Sequence, residues 1–161
     1  MVVRRKQKRF LRKLCKKEER LEREIFLLSK MVCLDTDILV GLMRGEKNAI
    51  EKIRNFEKLR LPFSTTPINA MEMFKGAYRS SKSKENVKIV EELLQNLNML
   101  EMNLTSAKIF GREAERLRKM GESIGEFDII IASIVLAHDE VLVTRNVQHF
   151  QKIPMLRIET W

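Results

Sequence analysis

The sequence predicts an α/β protein with a mostly parallel sheet that is covered by helices on both faces. The first observation is an alternation, from Met31 onward, of short apolar strand-like runs with segments of helical periodicity. Such alternation is typical of parallel sheets, in which each strand is followed by a helix that packs back onto it. The second is size: 161 residues with 44% hydrophobic content can bury one core. We therefore expect one α/β domain over 31–161, preceded by a basic extension over 1–30.

The basic extension carries almost all of the net charge. Residues 1–30 hold 12 Lys and Arg and 4 Glu, a net charge of +8 out of +9 for the whole chain. Apolar residues at helical spacing, from Phe10 to Leu28, predict a single amphipathic helix. Three interpretations have equal weight: a helix that contacts nucleic acid, an acidic partner or a membrane surface; a solvated helix or tail without a role; or the product of an upstream start choice, with Met31 as the natural start.

The predicted elements of the domain follow in chain order. A first strand over 32–35 leads into a helix over 37–44, ended by Gly45, and a second helix covers 46–59. After a strand over 61–65, Thr66 caps a helix that begins at Pro67. The remaining predictions are a polar loop over 79–84, a helix over 85–97, a strand over 99–102, a helix from the cap Thr105 to 120, a loop over 121–125, an apolar helix from Glu126, a strand over 141–144, a short turn or helix over 146–150 and a last strand over 155–158.

Composition excludes several classes of site. The two cysteines, Cys15 and Cys33, form no Cys-x-x-Cys motif and indicate neither a disulfide framework nor a zinc site. The longest apolar run, over 129–137, is far shorter than the ~20 residues that span a bilayer, and the basic N-terminus lacks the apolar core of a signal peptide. We therefore expect no membrane association and a reducing, cytoplasmic setting.

Four oxygen-bearing side chains are predicted to meet at one edge of the sheet. Asp35 ends the first strand, Glu72 lies near the start of the helix after the second strand, Asp128 lies in the first turn of the apolar helix, and Asn146 follows the fourth strand. In a parallel sheet, the carboxyl ends of the strands and the starts of the following helices share one crevice. Asp128 is the most informative, because its neighbours, Phe127 among them, are expected to be buried and a buried charge needs a partner.

This set of side chains predicts a site for a divalent cation. Clustered carboxylates repel one another and raise one another's pKa, and a bound Mg²⁺ or Mn²⁺, which prefers oxygen ligands, removes that conflict. A metal-activated water can hydrolyse a phosphodiester. The two histidines, His138 and His149, lack ligand spacing and are interpreted as structural or surface residues.

The roles of five further residues are less determined by the sequence. Asp37 either accepts a hydrogen bond from a metal-bound water or caps the helix over 37–44, with equal weight. Thr144 could bond a ligand carboxylate, but a plain strand residue is favoured, and Glu126 could approach the metal but is favoured as a helix-start acid. Arg44 and Arg145 are candidates for contact with RNA by their position alone.

Several motifs, taken together and in order, resemble those of PIN-domain ribonucleases, specifically the VapC toxins of type II toxin–antitoxin pairs. They are Val32-Cys33-Leu34-Asp35-Thr36-Asp37; Thr65-Thr66-Pro67 with Met71-Glu72; Gly125-Glu126-Phe127-Asp128 with Ile129-Ile130-Ile131-Ala132; and Leu142-Val143-Thr144-Arg145-Asn146 with His149-Phe150. The resemblance covers the chain from Met31 to Trp161, and residues 1–30 have no counterpart in it.

The resemblance implies a PIN-like three-layer α/β/α fold and a metal-dependent endoribonuclease. It implies Asp35, Glu72 and Asp128 as metal-coordinating catalytic acids, and it places the family's fourth acidic position on Asn146. An amide there can still ligate through its oxygen, but it removes one negative charge, so a tightly held second metal is in doubt. The resemblance further implies a homodimer and a cognate antitoxin whose C-terminal segment blocks the site.

Two alternatives remain open at the level of sequence. The pattern Asp35-Thr36-Asp37 also resembles haloacid-dehalogenase-type phosphatases, in which the first Asp is a covalent nucleophile. The chain departs from that pattern, since Ile38-Leu39 follows and the stretch over 141–146 carries no acid. The other alternative is a non-catalytic RNA- or partner-binding module in which residues 1–30 are the active part.

Overall fold

The fold is known from a computed structural model, which describes residues 31–161; the predicted helix over 1–30 lies outside the described residues. Short strands and longer helices alternate along the described chain, as predicted. In order, they are β1 (Val32–Leu34), α1 (Thr36–Met43), α2 (Lys47–Lys58), β2 (Phe63–Thr65), α3 (Pro67–Arg79), α4 (Ser83–Gln95), β3 (Asn98–Met99), α5 (Leu104–Met120), α6 (Glu126–Ala137), β4 (Val141–Val143), α7 (Val147–Phe150) and β5 (Arg157–Glu159). None of these helices has both the length and the apolar character needed to cross a membrane.

The five described strands form one sheet in the order β3-β2-β1-β4-β5, and every pairing is parallel. The central strand β1 pairs with β2 on one side and β4 on the other, with Cys33 opposite Ser64 and Leu142. Because the strands run in the same direction, the carboxyl ends of β1, β2 and β4 lie at one edge. The prediction of an α/β fold with a mostly parallel sheet is confirmed.

Alternate residues of the central strands point into two separate cores. Val32 and Leu34 of β1 pack with residues of α1–α4 on one face, whereas Cys33 and Leu142 pack with residues of α5 and α6 on the other. This alternation is the period of two of a strand buried on both faces. The result is the three-layer α/β/α arrangement.

The structure corrects the predicted starts of two helices and of the last strand. Helix α1 begins at Thr36 because Asp35, not Asp37, is its N-cap. Helix α5 is capped by Asn103 instead of Thr105, since Asn103 and Ser106 form a reciprocal capping box. The last strand begins at Arg157, because Met155 has a positive φ of 64° and is exposed.

Candidate active site at the carboxyl edge of the sheet

Asp35 is the central residue of the site, and its carboxylate is held at both oxygens. Strand β1 ends at Leu34, which places Asp35 at the sheet edge as the N-cap of α1. Its Oδ1 accepts hydrogen bonds from the backbone N–H of Thr36 and from Nδ2 of Asn69, each at 2.8 Å. Its Oδ2 accepts one from Oγ1 of Thr144 at 2.6 Å. These donors fix the carboxylate in one orientation.

Burial makes Asp35 unusually basic for an aspartate. Its pKa rises from 3.8 to about 6, chiefly because burial disfavours the charged form. The hydrogen bonds from Thr144 and Thr36 lower the pKa, whereas the negative charges of Asp37 and Glu72 raise it further. The fold therefore maintains a desolvated carboxylate beside two others of the same charge.

Asn69 links Asp35 to the start of α3, and its amide has a defined orientation. The side-chain Oδ1 accepts hydrogen bonds from the backbone N–H and the Oγ1 of Thr66, at 3.2 and 2.6 Å. A backbone N–H can only donate, so the oxygen of the amide must face Thr66 and Nδ2 must face Asp35. Nδ2 also lies 3.1 Å from Oγ1 of Thr36. Asn69 is fully buried, and both polar atoms of its side chain have hydrogen-bond partners.

Glu72 lies one turn further along α3 and joins the same group of residues. Its Oε2 accepts a hydrogen bond from Oγ1 of Thr36. Thr36 thus contacts both Asn69 and Glu72 while its backbone N–H bonds Asp35. The side chain of Glu72 is half-buried and lines two surface hollows, one on each side of it.

Asp128 and Asn146 meet through His149. Nδ1 of His149 lies 2.8 Å from Oδ2 of Asp128 and 3.0 Å from the amide of Asn146. The backbone N–H of Asn146 donates to Oγ1 of Thr144 at 3.0 Å, which connects this group to Asp35. His149 is exposed, as its interpretation as a surface residue requires, but these two contacts also make it a member of the site.

One continuous hydrogen-bond network therefore contains all four of the side chains predicted to meet at the edge. The order of contacts is Glu72, Thr36, Asn69, Asp35, Thr144, Asn146, His149 and Asp128. Asp128 reaches Asp35 only through intermediates. Accordingly, within residues 31–161 no three acidic, His or Cys side chains are already gathered closely enough to surround a metal ion.

Asp37 is not the cap of α1 that one of its two predicted roles requires, whereas its contact with a metal-bound water stays a prediction. Asp35 caps that helix, and both oxygens of Asp37 accept hydrogen bonds from the chain itself. Oδ1 accepts from Nε1 of Trp161 at 2.9 Å, and Oδ2 accepts from the backbone N–H of Arg145 at 2.7 Å. Asp37 thereby connects the start of α1 to the segment after β4 and to Trp161.

The two arginines predicted for RNA contact differ in their availability. The guanidinium of Arg145 lies 3.4 Å from the centre of the Trp161 ring, and its Nη2 lies 2.9 Å from Oε2 of Glu46. Arg44 is exposed and lines the same hollow as Glu72. Arg44 is therefore the better placed of the two for a bound anion.

The favoured interpretation of Thr144 as a plain strand residue is wrong, because it is fully buried and bonds Asp35. Phe127, expected to be buried beside Asp128, is 47% exposed. Glu126 is an exposed acid in the first turn of α6, as favoured.

Sequence reasoning missed Asn69, Thr36 and Trp161 as members of the site. Asn69 had one available signal, since it occupies the third helical position after the cap Thr66, where Glu or Gln is usual in a capping box. Thr36 lies between two acids, and nothing in the sequence distinguishes it from an ordinary residue of the first helical turn. Trp161 is distant in sequence, and nothing in its neighbourhood indicates Asp37 as its partner.

The chemistry of the donor set fits an oxygen-preferring divalent cation. Asp35 is desolvated, and the charges that act on it, those of Asp37 and Glu72, have the same sign as its own. A cation at this edge would relieve both penalties. Glu72 is hydrogen-bonded to the hydroxyl of Thr36, and Asp128 to the imidazole of His149. Either carboxylate can give up such a hydrogen bond to coordinate a metal ion.

A family model and the curated relatives both identify the chain as similar to PIN-domain nucleases of the VapC type. The family described as "PIN domain" matches residues 32–155. "Ribonuclease VapC1" of Haemophilus influenzae (strain R2866) is 32% identical over 132 residues, which are 80% of this chain and 96% of that protein. "tRNA(fMet)-specific endonuclease VapC" of Salmonella typhimurium is 29% identical over 128 residues, with the same coverage.

Solved structures show the same similarity. VapBC2 from Rickettsia felis, bound to a DNA fragment from its promoter, superposes with a TM-score of 0.75 at 25% identity, over 81% of this chain and 98% of that chain. VapBC-1 from nontypeable Haemophilus influenzae gives a TM-score of 0.74 at 30% identity, again over 81% and 98%. The resemblance inferred from the sequence motifs is confirmed.

Proposed function

Because this chain belongs to the PIN-domain family and is of the VapC type, we propose that it is a divalent-metal-dependent endoribonuclease and the toxin of a toxin–antitoxin pair. The observation that carries the proposal is the network that joins Asp35, Glu72, Asp128 and Asn146 at the carboxyl edge of the sheet. The ribonuclease and endonuclease names of the curated relatives support the same reaction class.

Asp35, Glu72, Asp128 and the amide oxygen of Asn146 would hold Mg²⁺ or Mn²⁺. A bound cation of this kind supplies Lewis-acid polarisation of the phosphodiester and lowers the pKa of an attacking water. Asn146 contributes no charge, so the set carries three negative charges at most. That number suits one divalent cation better than two.

The chain's own residues prepare this site by fixing its acids. Asn69 and Thr144 donate to opposite oxygens of Asp35, which holds the carboxylate in one orientation. Thr36 positions Glu72, and His149 positions Asp128. Preorganised ligands of this kind do not have to be ordered when substrate binds.

The proposed partner is a cognate antitoxin, since the similar solved structures include VapBC complexes. A homodimer, implied by the sequence resemblance, belongs to the same proposal. Light scattering of the purified chain measures the dimer. Coexpression with the product of a small neighbouring gene, followed by a cleavage assay, measures neutralisation.

The test of the nuclease is RNA cleavage by the wild type, Asp35→Asn and Asp128→Asn, each with Mg²⁺, with Mn²⁺ and with EDTA. We expect cleavage only by the wild type with metal. Glu57→Gln is the matched control, because it removes an exposed carboxylate on α2 outside the network. Equal cleavage in all arms would assign the activity to a contaminant or to another site.

A further inference from the structure

An apolar groove of about 650 Å³ opens directly beside the acids of the site. Glu72 forms one of its walls, and Met71, Met99 and Phe127 are among its other lining residues. The exposed fractions of these three apolar side chains are 55%, 42% and 47%. Phe127 directly precedes Asp128 at the start of α6, so the aromatic ring and the carboxylate come from adjacent positions.

Two cationic side chains flank Glu72 on opposite sides. Lys75 lines the apolar groove, and Arg44 lines a second hollow of about 310 Å³ that also includes Glu72. Both cations are exposed, and neither forms an ion pair within residues 31–161. Glu72 thus lies between two positions that attract anions, one of which adjoins an apolar surface.

We infer that the groove receives an unpaired nucleobase of the RNA substrate, stacked on Phe127, while Lys75 and Arg44 contact the phosphates on either side. The inference rests on the proposed ribonuclease function and names a binding position for the substrate. Every nucleobase has a flat π face, and methionine sulfur adapts to such surfaces. The site therefore takes single-stranded or looped RNA, because a duplex keeps its bases stacked and inaccessible.

The charge pattern favours RNA over an apolar side chain of a partner protein. An apolar side chain would fill the groove but would leave Lys75 and Arg44 without a counterpart. A nucleotide chain supplies both, because a base is apolar on its faces and each phosphate is anionic. The groove supplies an apolar surface for the base and Lys75 a charge for one phosphate, while Arg44, in the adjoining hollow that shares Glu72, supplies a charge for a second.

The experiment compares two single-stranded probes of equal length and charge, in EDTA so that no cleavage occurs. One probe is an oligouridylate of about a dozen nucleotides, and the other is the same ribose-phosphate chain without bases. We expect the wild type to bind the oligouridylate more tightly. Phe127→Ala should weaken that binding about 5- to 150-fold while leaving the abasic probe unchanged, and Phe127→Trp should restore it. Tyr78→Ala, which removes an exposed aromatic ring of α3 outside the groove, is the control.

The phosphate contact of Lys75 is tested with the same two probes. Lys75→Ala should weaken both equally, because it contacts a phosphate, whereas Lys88→Ala, which removes an exposed charge on α4, should not. Equal effects of Phe127→Ala on both probes, or none, would overturn the inference and assign the groove to a partner's apolar side chain. A wild type that cleaves RNA but binds both probes alike would refute only this inference, whereas a wild type without cleavage would refute the proposed function.

Discussion

Nδ1 of His149 lies 2.8 Å from Oδ2 of Asp128 and also faces the amide of Asn146. This nitrogen carries at most one proton, so when it donates to Asp128 the amide must present its oxygen. His149 is therefore a positioning residue for Asp128. We expect His149→Ala to weaken Mn²⁺ affinity about 10- to 100-fold, the usual cost of losing a residue that orients a metal ligand.

Isothermal titration calorimetry with Mn²⁺ measures the affinity of each variant. The rate of RNA cleavage at saturating Mn²⁺ is the second readout. His149→Asn is the conservative variant, because its side-chain amide can place a donor where Nδ1 lies, and it should recover part of the loss. His149→Gln moves the donor outward and should not. If all three variants bound Mn²⁺ as tightly as the wild type, His149 would only pack beside Asp128.

The raised pKa of Asp35 predicts a pH-dependent stability. Its pKa is about 6 in the fold, against 3.8 without burial, so the folded state binds the proton more tightly than the unfolded state. The contribution of Asp35 is therefore most favourable below pH ~4 and is lost as pH rises through ~6, with a total near 3 kcal/mol. In EDTA, Asp35→Asn should gain stability relative to the wild type over this window.

Urea unfolding of the two proteins at a series of pH values measures this difference, since the other titrating groups cancel in the comparison. Added Mn²⁺ should reverse the result at pH 7 by stabilising the wild type alone. Two parallel pH profiles in EDTA would mean that Asp35 is not desolvated.

The sequence predicted the sheet and the edge where the acids lie, because both follow from the alternation of strands and helices. It could place Asp35 and Asn146 near each other for the same reason. It could not predict that Asp128 reaches the others through His149, because a side-chain contact between two elements depends on the packing of α6 against α7. The exposure of Phe127 likewise depends on what packs over α6. The apolar residues around it in the sequence predicted that it would be buried.

Asn69 provides a test of the network that leaves every proposed metal ligand in place. Asn69→Asp keeps the shape of the side chain but puts a carboxylate oxygen against Oδ1 of Asp35, now 2.8 Å from an amide donor. Repulsion in a buried site should reduce the free energy of unfolding at pH 7 by about 1–3 kcal/mol, with the loss shrinking as pH falls and one carboxyl takes a proton.

Asn86→Asp is the matched control for this change. Asn86 lies near the start of α4, a helix end that favours a negative charge, and its Nδ2 donates to Oγ of Ser80 at 2.8 Å. The hydroxyl of Ser80, which donates to the carbonyl of Ala77, can turn to donate to the new carboxylate instead. Unfolding of both variants by urea at pH 5 and pH 7 makes the comparison. An equally small effect at the two sites would mean that Asn69 does not face an ionised Asp35.

The contact between Gly41 and Trp161 predicts a coupled pair of substitutions. A Cβ at Gly41 would lie 2.6 Å from the Trp161 ring and 3.1 Å from Cβ of Ala49, so Gly41→Ala forces the ring to move. Because Nε1 of Trp161 donates to Asp37, that movement should also break this hydrogen bond. We expect a loss of about 1–3 kcal/mol from overpacking, and a smaller loss when Trp161 is already Ala. Trp161→Phe removes the donor but keeps a ring, so it separates the two contributions in a double-mutant cycle measured by urea unfolding. Additive losses in the cycle would show that the ring does not restrict position 41.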